Sequence, residues 1–251
     1  MRLYAFTCGW ITASIGNFIE GEHGRIRVPV PCYLIDHPRG KVLFDSGLHT
    51  DTQTDPSARL GAIAENCTVE FHAGQEIGAQ LAAVDIDKRD ITRIVQSHLH
   101  FAHCGGNAQI PNATVVVQRR EWHAGRDPDL AARCRFDPRD YDLGHDVCEI
   151  DGEHDVFGDG RIVCIPTHGH TPGHQSLRVR LDEGDVFLCG DACYLRRSLD
   201  ELRLPPIGYD RARMLESMRS LRRLRDAGAR VIYGNDPEHW VGVPQAPAAI
   251  T

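Results

Sequence analysis

ITRIVQSHLHFAHCGGN, Ile91–Asn107, decides how the chain is read. Ile91 to Gln96 is a short apolar run rich in β-branched residues, the pattern of a buried strand. It delivers the chain straight into His98, His100 and His103. Three imidazoles within six positions at a strand end can converge on a small volume, and neutral imidazole is a good zinc ligand. Two other strands end in the same chemistry. Arg161 to Ile165 runs into Pro166–Thr167–His168–Gly169–His170 and the turn Thr171–Pro172–Gly173–His174. Val186 to Cys189, a buried strand, ends at Gly190–Asp191. Polar residues gathered at strand ends are how a rigid β scaffold presents a site.

His98, His100, His103, His170 and Asp191 are therefore the candidate metal ligands. The competing reading is that the histidines are satisfied core or loop residues. That reading is preferred for His168 and His174, with His174 a hydrogen-bonding residue behind the ligands. His23, His37, His49, His72, His123, His145 and His154 are assigned to the surface or to loops.

Composition narrows the class. The chain has 251 residues, 41% hydrophobic and 25% charged, an ordinary soluble globular composition that excludes disorder as the main state. One domain over residues 1–251 is expected. A formal charge of -7 suits neither a phosphate backbone nor an anionic membrane, so nucleic acid and membrane are excluded as partners. No apolar run is long enough to span a bilayer, and the N-terminal stretch reads as a first strand rather than a signal peptide. The nine cysteines are odd in number and form no CxxC pair, which suits buried free thiols in a cytoplasmic protein. Cys189 and Cys193 bracket Asp191, and a redox pair is the minor alternative there.

Elsewhere, Val28 to Ile35 reads as a strand that Pro29 and Pro31 place at a sheet edge. A helix is expected from about Gly74 to Ala83, strands at Lys41–Phe44, Thr114–Gln118 and Ser176–Leu181, and a short helix from Arg119 to His123. Gly125 to Asp146, rich in Asp, Arg and Pro, reads as loop or lid rather than core. Arg211 to about Ala227 is the clearest helix. Asp210 is its cap, Gly228 its stop, and Met214, Leu215, Met218, Leu221 and Leu224 its buried stripe. Val231 to Tyr233 is the last strand, ending at Gly234–Asn235–Asp236.

Five segments together resemble the metallo-β-lactamase superfamily, and within it the N-acyl-homoserine lactonase-like branch. They are PVPCYLIDHPRGKVLFDSGLH, SHLHFAHCGGN, THGHTPGHQSL, GDACY and GNDPEHW, spread from Pro29 to Trp240. The resemblance implies an α/β fold, a four-layer αββα sandwich of two mixed sheets with the site at one edge. It implies that His98, His100 and His170 bind a first metal, that Asp191 bridges to a second, and that His103 binds that second metal. Tyr194 matches a tyrosine that hydrogen-bonds the substrate carbonyl. Phe101 matches an apolar residue of the pocket mouth, and Asp45 and Ser46 fall on a structural turn.

Two positions depart from that pattern. The family motif H-x-H-x-D-H has Ala102 at its acidic place, and the terminal Gly-His-Asp has Asn235 at its histidine. A methyl group cannot ligate, and a neutral amide is a weak zinc ligand. The second site keeps only His103 and the shared Asp191, and a metal there is expected to bind weakly or not at all. His239, one helical turn past Asn235, is a substitute ligand only if the chain rearranges locally.

The function implied is a zinc-dependent hydrolase that opens a small lactone or ester, a quorum-quenching type of activity. A metal-bound hydroxide would attack the carbonyl, and Tyr194 would donate to the oxyanion. With Ala102 in place of the acid, Asp191 or solvent must supply the leaving-group proton. Turnover is then expected to fall below that of a two-metal relative by a few powers of ten, on the order of 10²–10⁴-fold. The alternatives are a mononuclear iron dioxygenase of the persulfide dioxygenase type, with Fe in the first site, or a catalytically weakened metal-binding homologue. Oligomeric state is left open, a homodimer included.

Overall fold

Strict alternation of side chains decides the layering. In the computed structural model, which describes residues 1–251, β1 (Arg2–Ser14) and β2 (Arg25–His37) pair antiparallel along most of their length. Tyr33 and Ile35 of β2 point into one apolar cluster, and Leu34 and Cys32 into another on the opposite face. The hairpin partner β3 (Gly40–Phe44) repeats this, with Val42 and Phe44 on the first side and Leu43 on the second. β4 (Cys67–Glu70) adds to β1, and β5 (Ile91–Val95), β6 (Thr114–Gln118) and β7 (Val147–Ile150) extend the sheet in parallel beyond β3. The order is β4-β1-β2-β3-β5-β6-β7.

A second sheet contains β8 (His154–Asp155), β9 (Ile162–Pro166), β10 (Gln175–Leu181), β11 (Gly184–Leu188) and β12 (Arg230–Ile232), in the order β12-β11-β10-β9-β8. Ile162, Leu177, Val186 and Leu188 meet Ile35, Val42, Phe44 and Val95 between the sheets. Each such side chain contributes roughly 1.5–3 kcal/mol on burial.

Helices close both outer faces. They are α1 (Pro56–Leu60), α2 (Ile77–Ala82), α3 (Phe101–Cys104), α4 (Arg119–Arg126), α5 (Pro128–Cys134), α6 (Pro138–Tyr141), α7 (Arg196–Glu201), α8 (Arg211–Asp226) and α9 (Pro237–Trp240). Ile77 and Leu81 of α2 cover Leu34, Leu43 and Ile94. Met218 and Leu221 of α8 cover Phe187 and Val231 of the second sheet. The four layers are the αββα sandwich expected. Asp210 caps α8 by accepting from the Arg213 N–H, as the sequence indicates; of the expected stripe, Met214, Met218 and Leu221 are buried and Leu215 and Leu224 half-buried.

Four expectations are corrected. β2 is an interior strand, not an edge. Pro29 and Pro31 are tolerated there because β3 pairs only with Tyr33 to His37, and β1 shifts register opposite the prolines, between Thr7 and Trp10. Residues 125–146 are not mainly loop. They complete α4 and form α5 and α6, and Ala131, Cys134, Phe136 and Tyr141 pack with Leu99, Val117 and Trp122 into a core of their own. His37 is buried rather than surface, stacked on Phe157 at 4.5 Å and bonded to Asp159 at 2.9 Å. The helix expected from Gly74 starts at Ile77.

Candidate metal centre

Both sheets send strand ends to one rim. β5 leads to His98, His100 and His103, the β9–β10 turn carries His170, and the end of β11 carries Asp191. Donor atoms of His98, His100, His170 and Asp191 all lie within 4.8 Å of one another. His98 Nε2 and His170 Nε2 stand 2.9 and 3.0 Å from His100 Nδ1, and Asp191 Oδ2 is 3.6 and 3.3 Å from the same two Nε2 atoms.

The outward ring nitrogens of His98 and His100 fix their tautomers. His100 Nε2 is 2.8 Å from the Cys134 carbonyl and must donate to it. Ser97 Oγ donates to Asp45 Oδ2 at 2.7 Å and so accepts from His98 Nδ1 at 2.9 Å. His170 Nδ1 lies 3.2 Å from the Tyr194 hydroxyl. His98 and His100 thus turn an unprotonated nitrogen inward, and His170 turns its Nε2 towards them. Three imidazole nitrogens and a carboxylate facing one another form an N₃O set that suits a divalent metal. Burial holds His98 well below its ordinary value, His100 at about 3 and His170 at about 4, so all three are in the neutral state that ligates.

His103 differs. Its Nδ1 is 2.8 Å from Asp45 Oδ2 and its Nε2 3.3 Å from Asp191 Oδ1. Burial lowers its affinity for a proton, but Asp191 and Asp45 override this and bring it up to about 10. Asp191, against its burial, is held well below the usual carboxylate range by His103 and then His170. Asp45 also accepts from Gln96 Nε2 at 3.0 Å and from the Ser97 N–H at 2.7 Å, with its own backbone left-handed at φ 60°. This is the structural turn that the resemblance implied.

His174 lies behind the ligands. Its Nε2 accepts the Asp191 N–H at 3.0 Å, and its Nδ1 donates to Thr167 Oγ1 at 2.9 Å. Thr167 in turn reaches Ser176, which donates to the Cys189 carbonyl. Glu121, the first charged residue of α4 to be fully buried, carries no sequence signal. Nothing in the stretch Arg119–Trp122 separates it from a solvated helix start, yet its two oxygens take backbone N–H groups of both histidine loops, at Leu99 and Gly173. Cys189 and Cys193 are buried, and burial pushes both thiols up, away from redox reactivity.

A cavity of about 570 Å³ opens over the donors. Phe101, Ala102, His103, Tyr194 and Asn235 line it, with Ile11, Phe18 and Val28 on one wall. Ile63, Asn66 and Cys67, with residues 133–135 and 207–209, contribute the other walls. Burial, then Asp191, keeps the Tyr194 phenol protonated. Ala102 offers no ligand atom, and Asn235 lines the cavity as a neutral amide. Asn235 Nδ2 donates to the Pro29 carbonyl at 3.0 Å. His239 does not substitute. Asp236 caps α9 through the His239 N–H, and the His239 ring lies against Tyr233, lining a different cavity with Arg196 and Asp236.

Residues 25–234 match the family model described as the metallo-beta-lactamase superfamily. The N-acyl homoserine lactonase AttM of Azorhizobium caulinodans is 34% identical over 98% of this chain and 97% of its own length. AttM of Agrobacterium fabrum is 33% identical over the same shares. Among solved structures, an N-acyl homoserine lactone hydrolase with the product N-hexanoyl-L-homoserine at its catalytic metal center superposes with a TM-score of 0.89. It is 25% identical and covers 99% of this chain and 98% of its own. With a family model matched from the start of β2 to just past β12, and relatives aligned nearly end to end, the chain belongs to the metallo-β-lactamase superfamily.

Proposed function

We propose that this protein hydrolyses small lactones of the N-acyl-homoserine type, using one zinc ion held by His98, His100, His170 and Asp191. The observation that carries this is the floor of the cavity, where three imidazole nitrogens and one carboxylate oxygen converge beside a protonated tyrosine. Relatives named lactonases, aligned over nearly the whole chain, favour hydrolysis over mononuclear iron oxidation.

A divalent metal bound there supplies Lewis-acid chemistry, neutralising developing charge and lowering the pKa of water. The chain's own residues do the rest. The Tyr194 hydroxyl, 3.2 Å from His170 Nδ1 and beside Asp191, stands on the cavity floor where it can turn to donate to the lactone carbonyl as it becomes an oxyanion. Ring opening adds the oxygen of water to the carbonyl carbon, breaks the ring C–O bond and returns a proton to the alkoxide. His103 and Asp191, 3.3 Å apart on the cavity floor, are the groups placed to hold that proton. Phe101, Phe18 and Val28 give an acyl tail an apolar wall.

What supports a count of one ion is the methyl of Ala102 and the weakly ligating neutral amide of Asn235. Metal analysis alongside a panel of lactones tests the reading. One equivalent is expected in the natural chain and two in Ala102→Asp with Asn235→His, with faster opening in the double variant. If neither form opens any lactone, the reading fails.

A further inference from the structure

Two segments wall the cavity from the solvent side. One runs through α1 to residues 63–67, the other through α5 to residues 133–135. They are joined by an ion-pair cluster whose centre, Arg59 with Asp140, is buried and whose outer members, Asp137 and Arg139, reach solvent. Arg59 Nη1 donates to Asp137 Oδ2 at 3.0 Å, and Arg59 Nη2 donates to Asp140 Oδ1. Arg139 Nη2 returns a bond to the Arg59 carbonyl at 3.1 Å, and Arg139 Nε holds Asp137 at 3.0 Å. The Arg59 side chain is 5% exposed and that of Asp140 1%. Such a pair loses much of its Coulombic gain to desolvation, so its value lies in fixing one arrangement of the groups it joins. None of these four residues lines the cavity.

The two segments are anchored differently. The second is tied to the metal centre, because the Cys134 carbonyl accepts from His100 and Phe136 meets the His100 ring edge-on at 5.4 Å. Residues 55–66 make no such bond to the donor residues and reach that wall through Arg59.

We infer that Arg59 is a specificity-determining positioning residue: it clamps the α1 wall to the α5–α6 wall and so sets the width left for the acyl tail. This rests on the lactone reading above. The substrate class it selects is the acyl lactone whose tail reaches between Ile63 and Arg133.

The test compares the natural chain with Arg59→Met, using short-chain and long-chain acyl lactones, with amide hydrogen exchange on the same samples. The expected result is kcat on the short substrate within about twofold, since the donors are untouched. KM on the long substrate should rise by about tenfold, and exchange should accelerate over residues 56–66. Arg59→Lys, which lacks the two-pronged fork that reaches both aspartates, should restore the long-chain KM only in part. If Arg59→Met does not fold, the triple variant Arg59→Met, Asp137→Asn, Asp140→Leu removes the cluster without stranding a charge, and the same KM ratio is expected. A KM that changes equally for both tails, or unchanged exchange over residues 56–66, overturns the inference. If the natural chain opens no lactone, the lactone reading falls, while the exchange comparison still decides whether Arg59 is the clamp.

Discussion

Glu121 accepts the Gly173 N–H at 2.6 Å through one oxygen, and through the other it accepts the Leu99 N–H at 3.1 Å. Leu99 lies between His98 and His100, and Gly173 three residues past His170. One buried carboxylate therefore sets the spacing of loops that come from different sheets. Glu121→Gln puts an NH₂ group against one of those N–H donors. Metal affinity, measured by competition with a chromogenic chelator, should drop on the order of 10–100-fold, the usual scale for groups that orient ligands. An unchanged affinity would show that the loops hold their spacing without it.

The same residue gives a pH signature. Burial raises Glu121 from 4.5 to about 7. Between those values the folded chain holds a proton that the unfolded chain has released, so this contribution to stability is complete below pH 4.5 and lost as pH rises through about 7. Urea midpoints of metal-stripped protein across that window should show the natural chain losing stability relative to Glu121→Gln as pH rises. Taking the difference between the two proteins removes the histidine contributions they share. A difference that is flat with pH would contradict this assignment.

Tyr194→Phe keeps the ring against Phe18, 5.2 Å away edge-on, and removes only the hydroxyl. For a group that donates to the oxyanion and little to the ground state, kcat should fall by about 10²–10³ with KM nearly constant. Equal losses in affinity for product and substrate would instead make Tyr194 a binding residue.

Gly169 has φ 127°, and a Cβ there would sit 2.2 Å from the Met214 backbone nitrogen in α8. The glycine is what lets α8 seat against the His170 turn, where the Asp210 N–H bonds the Gly169 carbonyl at 2.9 Å. Gly169→Ala should cost about 2–4 kcal/mol in thermal or chemical denaturation and lower metal occupancy with it. Loss of stability with full occupancy would mean that the turn keeps its shape and the helix moves.

How much of this was legible in the sequence depended on whether function and period coincided. His98, His100, His170 and Asp191 sit directly after apolar runs, so the strand ends and the donors announced each other. The α8 stripe was equally plain, because its spacing and its cap agree. Pro29 and Pro31 misled because their missing N–H groups matter only if a neighbour needs them, and β3 ends before it reaches them. Residues 125–146 looked like a lid because their charges were visible and their pairing was not: Arg59 neutralises Asp137 and Asp140 from 78 and 81 positions away. Glu121 was invisible for the same reason, since its partners are backbone atoms that carry no sequence signal. Asn235 and Ala102 were legible as departures, and the structure adds that the Asn235 amide is bonded to Pro29.

The inward lone pairs have a consequence for the scaffold as a whole. His98 and His100 belong to the end of the seven-stranded sheet, and His170 and Asp191 to the five-stranded one. An ion seated among them is a cross-link between the two halves of the sandwich, and unlike a disulfide its strength is set by a concentration. At a hundred times the dissociation constant such a link adds about 2.7 kcal/mol, and in a chelating environment it adds nothing. Resistance of this protein to unfolding and proteolysis should therefore track the free metal around it, which makes supply of the ion a control on lifetime as well as on activity.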